Sequence, residues 1–414
     1  MFVDKRQLAV FVAGFCAFTN LYPVQALLPE LMRAFDADAA AVGLAVAVST
    51  LAVALVAPFM GAVSDALGRK PVMAGSLAIL GVLTMLPAFA ESLWTLVLLR
   101  FLAGLFVPGI FTVLVAYIRE EWDPRGAVET TTFYISGSVL GGFGGRFIAG
   151  WAAEHWGWEA AFAALGMLDL QQQVEHWGWE AAFAALGMLD LLLLPALIFW
   201  LPASRNFQPG SGLVDSVRTM RRHLGNRRLL TAFSIGFGML FGLVGTFSFV
   251  SLYLAQPPFS LGVGAIGSIF AVYLLGVVVT PVAGKLIPRF GRSPIAVLSL
   301  LVGIAGLLLT LLPNLAAVAI GLALFSTAMF VVQGICTGYV PQAAVGGTSA
   351  AVGLYVCCYY IGGTLGAVVP GPLWHAFGWP GCVALMAAVQ AAMAVISHRL
   401  WSGEAIPAGQ PARG

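Results

Sequence analysis

The sequence predicts an all-α membrane protein with twelve transmembrane helices in two six-helix bundles related by pseudo-symmetry. Three observations predict this fold class: the composition, the length of the apolar segments, and a repeat that relates the two halves of the chain. Of 414 residues, 60% are hydrophobic and only 9% are charged, whereas soluble domains carry about 25% charged residues. A soluble fold could not bury this much apolar surface, so the lipid bilayer is the predicted surrounding of the chain.

The apolar segments run to about 18–26 residues, and about 20 helical residues cross a bilayer core of about 30 Å. Lys5 and Arg6 precede the first segment, which is too long for the apolar core of a signal peptide and is predicted to stay as a span. The predicted spans are 8–29, 41–63, 71–90, 93–118, 129–152, 180–201, 229–254, 262–287, 294–312, 315–338, 349–373 and 379–399.

The basic residues predict the orientation of these spans. With the amino terminus inside, only Arg33 of the 20 basic residues falls in an outer segment, and only Arg100 and Arg146 fall within spans away from an inner end. Such a bias toward the cytoplasm is the positive-inside pattern. We therefore predict that both termini are cytoplasmic.

Three pairs of segments at nearly the same offset indicate an internal repeat, which is best sought early in a long chain. The pairs are LAVFVAGF at 8–15 with LLTAFSIGF at 229–237, GAVSDALGRK at 61–70 with GKLIPRFGRS at 284–293, and GGFGGRFIAGWAAEHWGW at 141–158 with GGTLGAVVPGPLWHAFGW at 362–379. They predict a first bundle at 1–201, an Arg-rich cytoplasmic linker at 202–228, a second bundle at 229–400 and a tail at 401–414. Both bundles begin inside, which makes the repeat parallel.

A second, local duplication lies within 154–191. EHWGWEAAFAALGMLDL runs from Glu154 to Leu170 and again from Glu175 to Leu191. The first copy offers roughly 18 Å of apolar helix, which is short of a span, and a crossing there would place the Arg-rich linker outside. We predict an outer-face or re-entrant hairpin ahead of the sixth span. A natural insertion and an assembly artefact both stay open as its origin.

Several function classes are not indicated. The net charge of +2 does not suggest a nucleic-acid partner. The five cysteines lie in apolar runs without a CxxC motif or a histidine at ligand spacing, so neither disulfides nor a metal site are predicted. No P-loop and no catalytic triad is present, so we predict neither an enzyme nor an ATP-driven pump, and no cofactor. We expect a monomer.

The motifs resemble those of one family. GAVSDALGRKP at 61–71 matches G-x-x-x-D-x-x-G-R-[KR], the signature between the second and third spans of the major facilitator superfamily. LLRFLAG at 98–104 resembles the fourth-span motif of that family, and GSVLGGFGGR at 137–146 resembles its fifth-span motif, with Gly142 and Arg146 in place of Pro and Gly. HWGWEAAF, which occurs twice, resembles the start of its sixth span, with Glu159 or Glu180 where Arg is usual.

The resemblance covers essentially the whole chain and is strongest toward bacterial drug and sugar efflux permeases. It implies the major facilitator fold, the bacterial inner membrane, and transport of a small-molecule substrate by alternating access. It also implies an inner gate formed by Gly61, Asp65, Gly68, Arg69 and Lys70.

Each part of that gate motif has a physical interpretation. Gly61 is predicted where a neighbouring helix passes closely, and Asp65 is predicted to pair with Arg69 across the short loop. The alternative is simple anchoring by inner positive charge. In the second half Pro288 takes the position of Asp65, so the equivalent carboxylate is missing there.

Gly137, Gly141 and Gly145 recur every four residues and predict a side-chain-free stripe on the fifth helix. The family's antiporter motif lies here. Close helix packing explains the stripe without reference to the direction of transport.

Charged residues inside spans are costly and usually face a cavity or a partner. Arg100, Arg146 and Asp190 are such residues, and Asp190 lies near mid-depth. They are predicted either to couple proton movement to transport or to form a static charge cluster. Asp169 would replace Asp190 only if the first copy of the duplication occupied the helix position.

Polar residues in the first, tenth and eleventh spans are candidates for lining a substrate cavity, although ordinary interhelical hydrogen bonding would explain them too: Asn20, Tyr22, Gln25, Gln333 and Tyr359. The predicted function is secondary active transport of a small organic solute, with protons as the coupled partner and export as the direction. Two alternatives stay open: proton-coupled uptake, and a transporter-like receptor that binds a ligand without moving it.

Overall fold

The computed structural model of the protein describes residues 4–155, 178–204, 213–344 and 348–401, and these ranges contain helices and no β-strand. The predicted all-α architecture is therefore confirmed for the described residues. Most of the predicted hairpin, at 156–177, lies outside the described residues, and Asp169 lies there with it.

In the described residues of the first half, up to the linker, seven helices form six spans. They are α1 Lys5–Thr19, α2 Val24–Ala34, α3 Ala39–Leu67, α4 Arg69–Met85, α5 Leu93–Glu121, α6 Pro124–His155 and α7 Trp179–Trp200. α1 and α2 together form the first span, and a 3-10 turn at Leu86–Phe89 extends α4.

The second half repeats this arrangement after a short linker helix. The helices are the linker helix α8 Leu213–His223, then α9 Arg227–Leu254, α10 Val263–Ile269, α11 Tyr273–Phe290, α12 Arg292–Leu309, α13 Leu315–Ala343, α14 Thr348–Val368 and α15 Gly371–Trp401. A 3-10 turn at Phe270–Val272 joins α10 to α11, which together make the eighth span. α15 contains a kink at Gly378, where φ is +62°, and the predicted twelfth span begins just after this kink.

Eleven of the described helical segments are long and apolar enough to cross a bilayer. α6 is not among them, because Arg146 and its many glycines lower its hydropathy. It is 32 residues long and packs along α1, so we count it as the fifth of twelve spans.

Side-chain caps explain where several of these helices begin. Asp38 Oδ1 accepts a hydrogen bond from Ala41 N at 2.7 Å at the start of α3, and Ser92 Oγ accepts one from Thr95 N at 3.2 Å at the start of α5. Asn226 and Asn314 cap α9 and α13 in the same way. A cap of this kind satisfies a backbone donor that the first helical turn leaves free.

Backbone geometry at the ends of α3 and α11 supports the internal repeat. Gly68 and Gly291 separate equivalent helix pairs and have φ of +91° and +82°. Only glycine adopts this region without steric cost. The two halves therefore use the same glycine turn at equivalent positions.

The glycine stripe of α6 does allow close helix packing, as predicted. A Cβ atom on Gly141 would overlap Phe15 O of α1, and one on Gly145 would overlap Thr19 O. The equivalent helices of the second half pack in the same way, because a Cβ on Gly362 would overlap Phe237 O of α9. Both halves thus share one helix-to-helix contact at matching positions of the repeat.

We expect Gly141→Ala to destabilise the protein, because its methyl group would push α6 away from α1. Overpacking of this kind costs about 1–3 kcal/mol. The melting temperature of the purified protein in detergent checks this. Gly75→Ala in α4 is the matched control, since a Cβ there meets no atom within 4 Å. Equal melting temperatures for the two variants would contradict the close packing of α1 on α6.

Two pairs of helices make most of the contact between the halves. α3 runs against α14, where Thr50 Oγ1 and Thr364 Oγ1 are 3.0 Å apart. On the side that the charge bias predicts to be outer, α6 meets α10, and Glu154 Oε2 accepts a hydrogen bond from Gly264 N at 2.8 Å. Glu154 is also the first residue of the local duplication, so the duplication begins at a contact between the halves.

We expect deletion of residues 154–174 to leave the topology unchanged. The second copy also begins with EHWGW, so Glu175 would follow Ala153 and occupy the position of Glu154. A cysteine placed at Gly225, which is exposed in the linker, on a cysteine-free background reports the topology. An impermeant maleimide should label it only after cells are permeabilised, with and without the deletion.

Glu91→Cys is the control for this experiment, because Glu91 is exposed between α4 and α5 on the predicted outer side. It should react in intact cells. Labelling of the cysteine at position 225 in intact cells, in either protein, would contradict the span count.

Candidate functional site

The first span is interrupted at mid-length, and this break organises one group of buried polar residues. α1 ends at Thr19 and α2 begins at Val24, so the carbonyl groups of Asn20 and Leu21 are available to other partners. Nη2 of Arg100, from α5, donates to Asn20 O at 2.6 Å and to Leu21 O at 3.2 Å. Irregular backbone at membrane depth is tolerated where it is buried in protein and its polar groups are satisfied.

Asp190, from α7, lies on the other side of Asn20. Its side chain is fully buried, and Oδ2 accepts a hydrogen bond from Asn20 Nδ2 at 2.6 Å. The same amide nitrogen donates to Cys16 O at 2.9 Å. Asn20 therefore contacts Asp190 with its side chain and Arg100 with its main chain.

Proton coupling by Arg100, Arg146 and Asp190, or a static cluster of the three, would both bring these charged groups close together. In the described part of the chain, neither Arg100 nor Arg146 forms an ion pair with Asp190. Asn20 stands between Asp190 and Arg100, and Arg146 belongs to a separate group. All three charged side chains are buried, with exposed fractions of 0% for Asp190, 1% for Arg100 and 3% for Arg146.

Arg146, from α6, lies where the two halves meet. Its Nε and Nη2 donate to Gln25 Oε1 at 2.9 and 2.7 Å, and its Nη1 donates to Gly142 O. Three aromatic rings surround the guanidinium, with centroids 4.8 Å (Tyr22), 4.7 Å (Phe270) and 5.1 Å (Tyr273) from its central carbon. We call these three rings and Gln25 the Arg146 cage.

Gln25 extends this group into the second half. Its Nε2 donates to Val244 O at 3.2 Å and to Ser248 Oγ at 3.0 Å, both in α9. One amide side chain therefore links α6 of the first half to α9 of the second.

Four of the five predicted cavity residues lie near the cage. Tyr22 and Gln25 belong to it, and Tyr359 of α14 lies near Tyr22 and beside Gln333 of α13. Gln333 and Tyr359 are half-buried. Asn20, the fifth, contacts Asp190 instead.

The predicted ion pair of the inner gate motif is present. Arg69 Nη1 lies 2.6 Å from Asp65 Oδ1, and Arg69 donates to both carboxylate oxygens of Glu120 at 2.7 and 3.2 Å. The Arg69 side chain is only 6% exposed. These contacts join the inner ends of α3, α4 and α5.

The two glycines of that motif have different structural roles. Gly68 has positive φ and forms the turn between α3 and α4, next to the half-buried Lys70. The prediction that a neighbouring helix passes close to Gly61 is wrong for this conformation, because a Cβ there would meet no atom within 4 Å. The Gly61 carbonyl instead accepts a hydrogen bond from Arg69 at 3.3 Å.

Four further residues belong to these groups and were not predicted from the sequence: Glu120, Ser248, Phe270 and Tyr273. Glu120 could have been predicted, because it is an acidic residue on the predicted inner side, where basic residues dominate. The other three could not, since serine and aromatic residues are common in membrane helices.

Comparison with known proteins identifies the family. The family profile described as Major Facilitator Superfamily matches residues 10–168 and 174–367. The inner membrane transport protein YnfM of Escherichia coli (strain K12) is 31% identical over 396 residues, which cover 95% of this chain and 89% of that protein. The uncharacterized MFS-type transporter YybF of Bacillus subtilis (strain 168) is 30% identical over 385 residues, covering 92% and 90%.

A solved structure agrees on the fold. The crystal structure of a bacterial homolog to the human lysosomal transporter Spinster, inward-facing and unoccupied, superposes with a TM-score of 0.75 over 97% of this chain and 98% of that one, at 17% identity. These relatives are transporters and not enzymes. This chain therefore belongs to the major facilitator superfamily and is a multi-pass membrane transporter.

Proposed function

We propose that the protein exports a small organic solute in exchange for protons. The observation that carries the proposal is the buried carboxyl of Asp190, held by Asn20 at the break in the first span. Burying a carboxylate without an ion pair costs far more than burying a protonated carboxyl. A carboxyl in this setting is suited to bind a proton in one conformation and release it in another.

The break in the first span links the surroundings of Asp190 and Arg100 to the conformation of the protein. Asn20 binds Asp190 through its amide and Arg100 through its carbonyl. Any change in the angle between α1 and α2 therefore alters the surroundings of both charged groups. Unequal proton affinity in two conformations is what lets a proton shift the balance between them.

The contacts between the halves are proposed to form the gates of the transport cycle. Alternating access requires the contacts of Gln25 with α9 and of Glu154 with α10 to open and close. Arg69, with Asp65 and Glu120, is proposed as the latch of the opposite, cytoplasmic side. We further propose the predicted orientation with both termini inside, the bundle boundaries given above, and a monomer.

Export is favoured by the resemblance to bacterial efflux permeases. The glycine stripe does not decide the direction, because packing of α6 on α1 accounts for it. Proton-coupled uptake would use the same residues, so direction must be measured.

Proteoliposomes with an imposed pH gradient test the proposal. A defined mixture of organic acids, amines and sugars is supplied outside, and the vesicle contents are quantified by mass spectrometry. Exchange predicts accumulation when the lumen is acidic, whichever way the protein is inserted, and symport predicts accumulation when the outside is acidic. Protein-free liposomes and a protonophore are the controls. Binding of a solute without accumulation under either gradient would favour the receptor alternative.

A further inference from the structure

We propose that the transported solute is an aromatic monocarboxylate whose carboxylate binds Arg146. The proposal rests on the proposed function, because it takes the contact between the two halves as the transport path. It assigns a substrate class to the Arg146 cage.

The charge of Arg146 is the first argument. The guanidinium is 3% exposed, and the groups that face it are neutral: the Gln25 amide, the Gly142 carbonyl and the rings of Tyr22, Phe270 and Tyr273. It has no carboxylate partner among the described residues. A buried cation without a counter-ion is costly, and an anionic ligand would remove that cost.

The second argument is that the side chains of the cage come from both halves of the chain. Tyr22 and Gln25 come from the first span, whereas Phe270 and Tyr273 come from the eighth. Separation of the halves on this side withdraws two rings from the guanidinium and breaks the Gln25 contact with Ser248. Nε and Nη2 of Arg146 form a planar fork that Gln25 Oε1 of the same half occupies in this structure. A carboxylate that took the place of this amide oxygen would accept two parallel hydrogen bonds from the fork.

The residues around the cage define the body of the ligand. Tyr359 lies near Tyr22 and Tyr273, and the Tyr273 ring packs edge-on against Phe330 with centroids 5.3 Å apart. Ring faces of this kind favour a flat apolar group. Gln333, half-buried beside Tyr359, offers one polar contact for a substituent.

The same surroundings argue for a single negative charge. Arg100 is the other arginine buried within a span, and its Nη2 is held by carbonyl groups of the first span. It contacts α7 through Phe183, whose ring centroid is 5.8 Å from the guanidinium, within the first half. Among the described residues, only the Arg146 guanidinium lies over the rings of the cage, so a second carboxylate on the ligand would find no second arginine there.

Binding of radiolabelled benzoate to the purified full-length protein in detergent tests this inference. Benzamide, benzylammonium and phthalate serve as neutral, cationic and dianionic competitors. We expect benzoate to bind, and each competitor to bind at least about tenfold more weakly, as loss of a charge-paired contact predicts. Arg146→Gln should weaken benzoate binding by at least about tenfold, and Arg146→Lys should weaken it less because the charge remains.

Arg289→Gln is the matched control, because Arg289 is exposed at the end of α11 and its guanidinium lies over Phe290, away from the cage. It should bind benzoate as the unmodified protein does. Size-exclusion profiles and melting temperatures show whether the Arg146 variants are folded. If Arg146→Gln does not fold, the benzoate affinity of Arg146→Lys is the test, and it should be weaker than that of the unmodified protein. No binding of benzoate to the unmodified protein, equal binding of benzamide, or unchanged binding after Arg146 is replaced would each overturn the inference.

This outcome is separable from that of the proposed function, because binding in detergent needs no gradient. If benzoate binds but neither pH gradient moves it, proton coupling fails, and the assignment of the Arg146 cage as a site for an aromatic carboxylate stands. If a gradient moves another solute and benzoate does not bind, the substrate class fails and coupling stands.

Discussion

Asp190→Asn should abolish accumulation of solute driven by a pH gradient while leaving solute binding nearly unchanged. Asparagine has the same shape and keeps an oxygen that can accept the hydrogen bond from Asn20 Nδ2, but it cannot exchange a proton. Uphill transport should therefore be lost, and exchange of solute at equal concentrations should persist. Proteoliposome accumulation with and without the gradient measures this difference.

Two further variants accompany Asp190→Asn, one as a control and one as a second test of coupling. Glu91→Gln removes a carboxylate at an exposed loop position and should transport normally. Arg100→Lys should impair coupling, because an ammonium on a shorter reach does not reproduce the planar guanidinium that contacts two carbonyl groups of the first span. If Asp190→Asn still concentrates solute, the carboxyl is structural, and Asp169→Asn becomes the next variant to test.

Arg69→Ala should reduce the rate of transport severely at unchanged expression. Its loss removes the cation that the carboxylates of Asp65 and Glu120, each 18% exposed, share. Removing one partner of a largely buried ion pair costs about 3–5 kcal/mol, and less where water reaches it. The inner ends of α3, α4 and α5 would separate, and the proposed latch would be lost. Initial transport rates, normalised to protein in the membrane, measure the effect.

Arg292→Ala is the matched control for that variant, because Arg292 stands at the equivalent position of the second half. Pro288 replaces the aspartate there, and Arg292 contacts Gln342 Oε1 and the Tyr339 ring. We expect a smaller loss of rate. Normal rates after replacement of Arg69, or equal losses in the two variants, would count against a latch in the first half.

The spans and the repeat could be predicted because they depend on local properties of the sequence. Hydropathy identifies a membrane helix without reference to its neighbours, and Gly137, Gly141 and Gly145 mark a helix face by their spacing alone. The match of Gly68 with Gly291 has the same origin, since a positive φ constrains the residue at that position.

The partners of the buried side chains could not be predicted in the same way. Whether Asp190 meets an arginine or Asn20 depends on the rotation of α7 relative to α1, and no sequence pattern fixes that rotation. Gln25 illustrates the same limit, because its bond to Ser248 joins residues more than half the chain apart. Gly61 shows a further limit, because the sequence does not specify how near a neighbouring helix comes: a Cβ on Gly61 would meet no atom within 4 Å.

The four residues from Asn20 to Pro23 have a consequence for the efficiency of the cycle. Under the proposed coupling, a solute that favours one geometry of this segment changes the proton affinity of Asp190 by the same factor as the proton changes solute affinity, because binding energies are reciprocal. The stiffness of this segment then determines how closely the ratio of protons to solute molecules exchanged stays at a fixed value. A segment loosened by Pro23→Gly would let protons pass without solute, so the protein would leak and dissipate the gradient while its gates still worked.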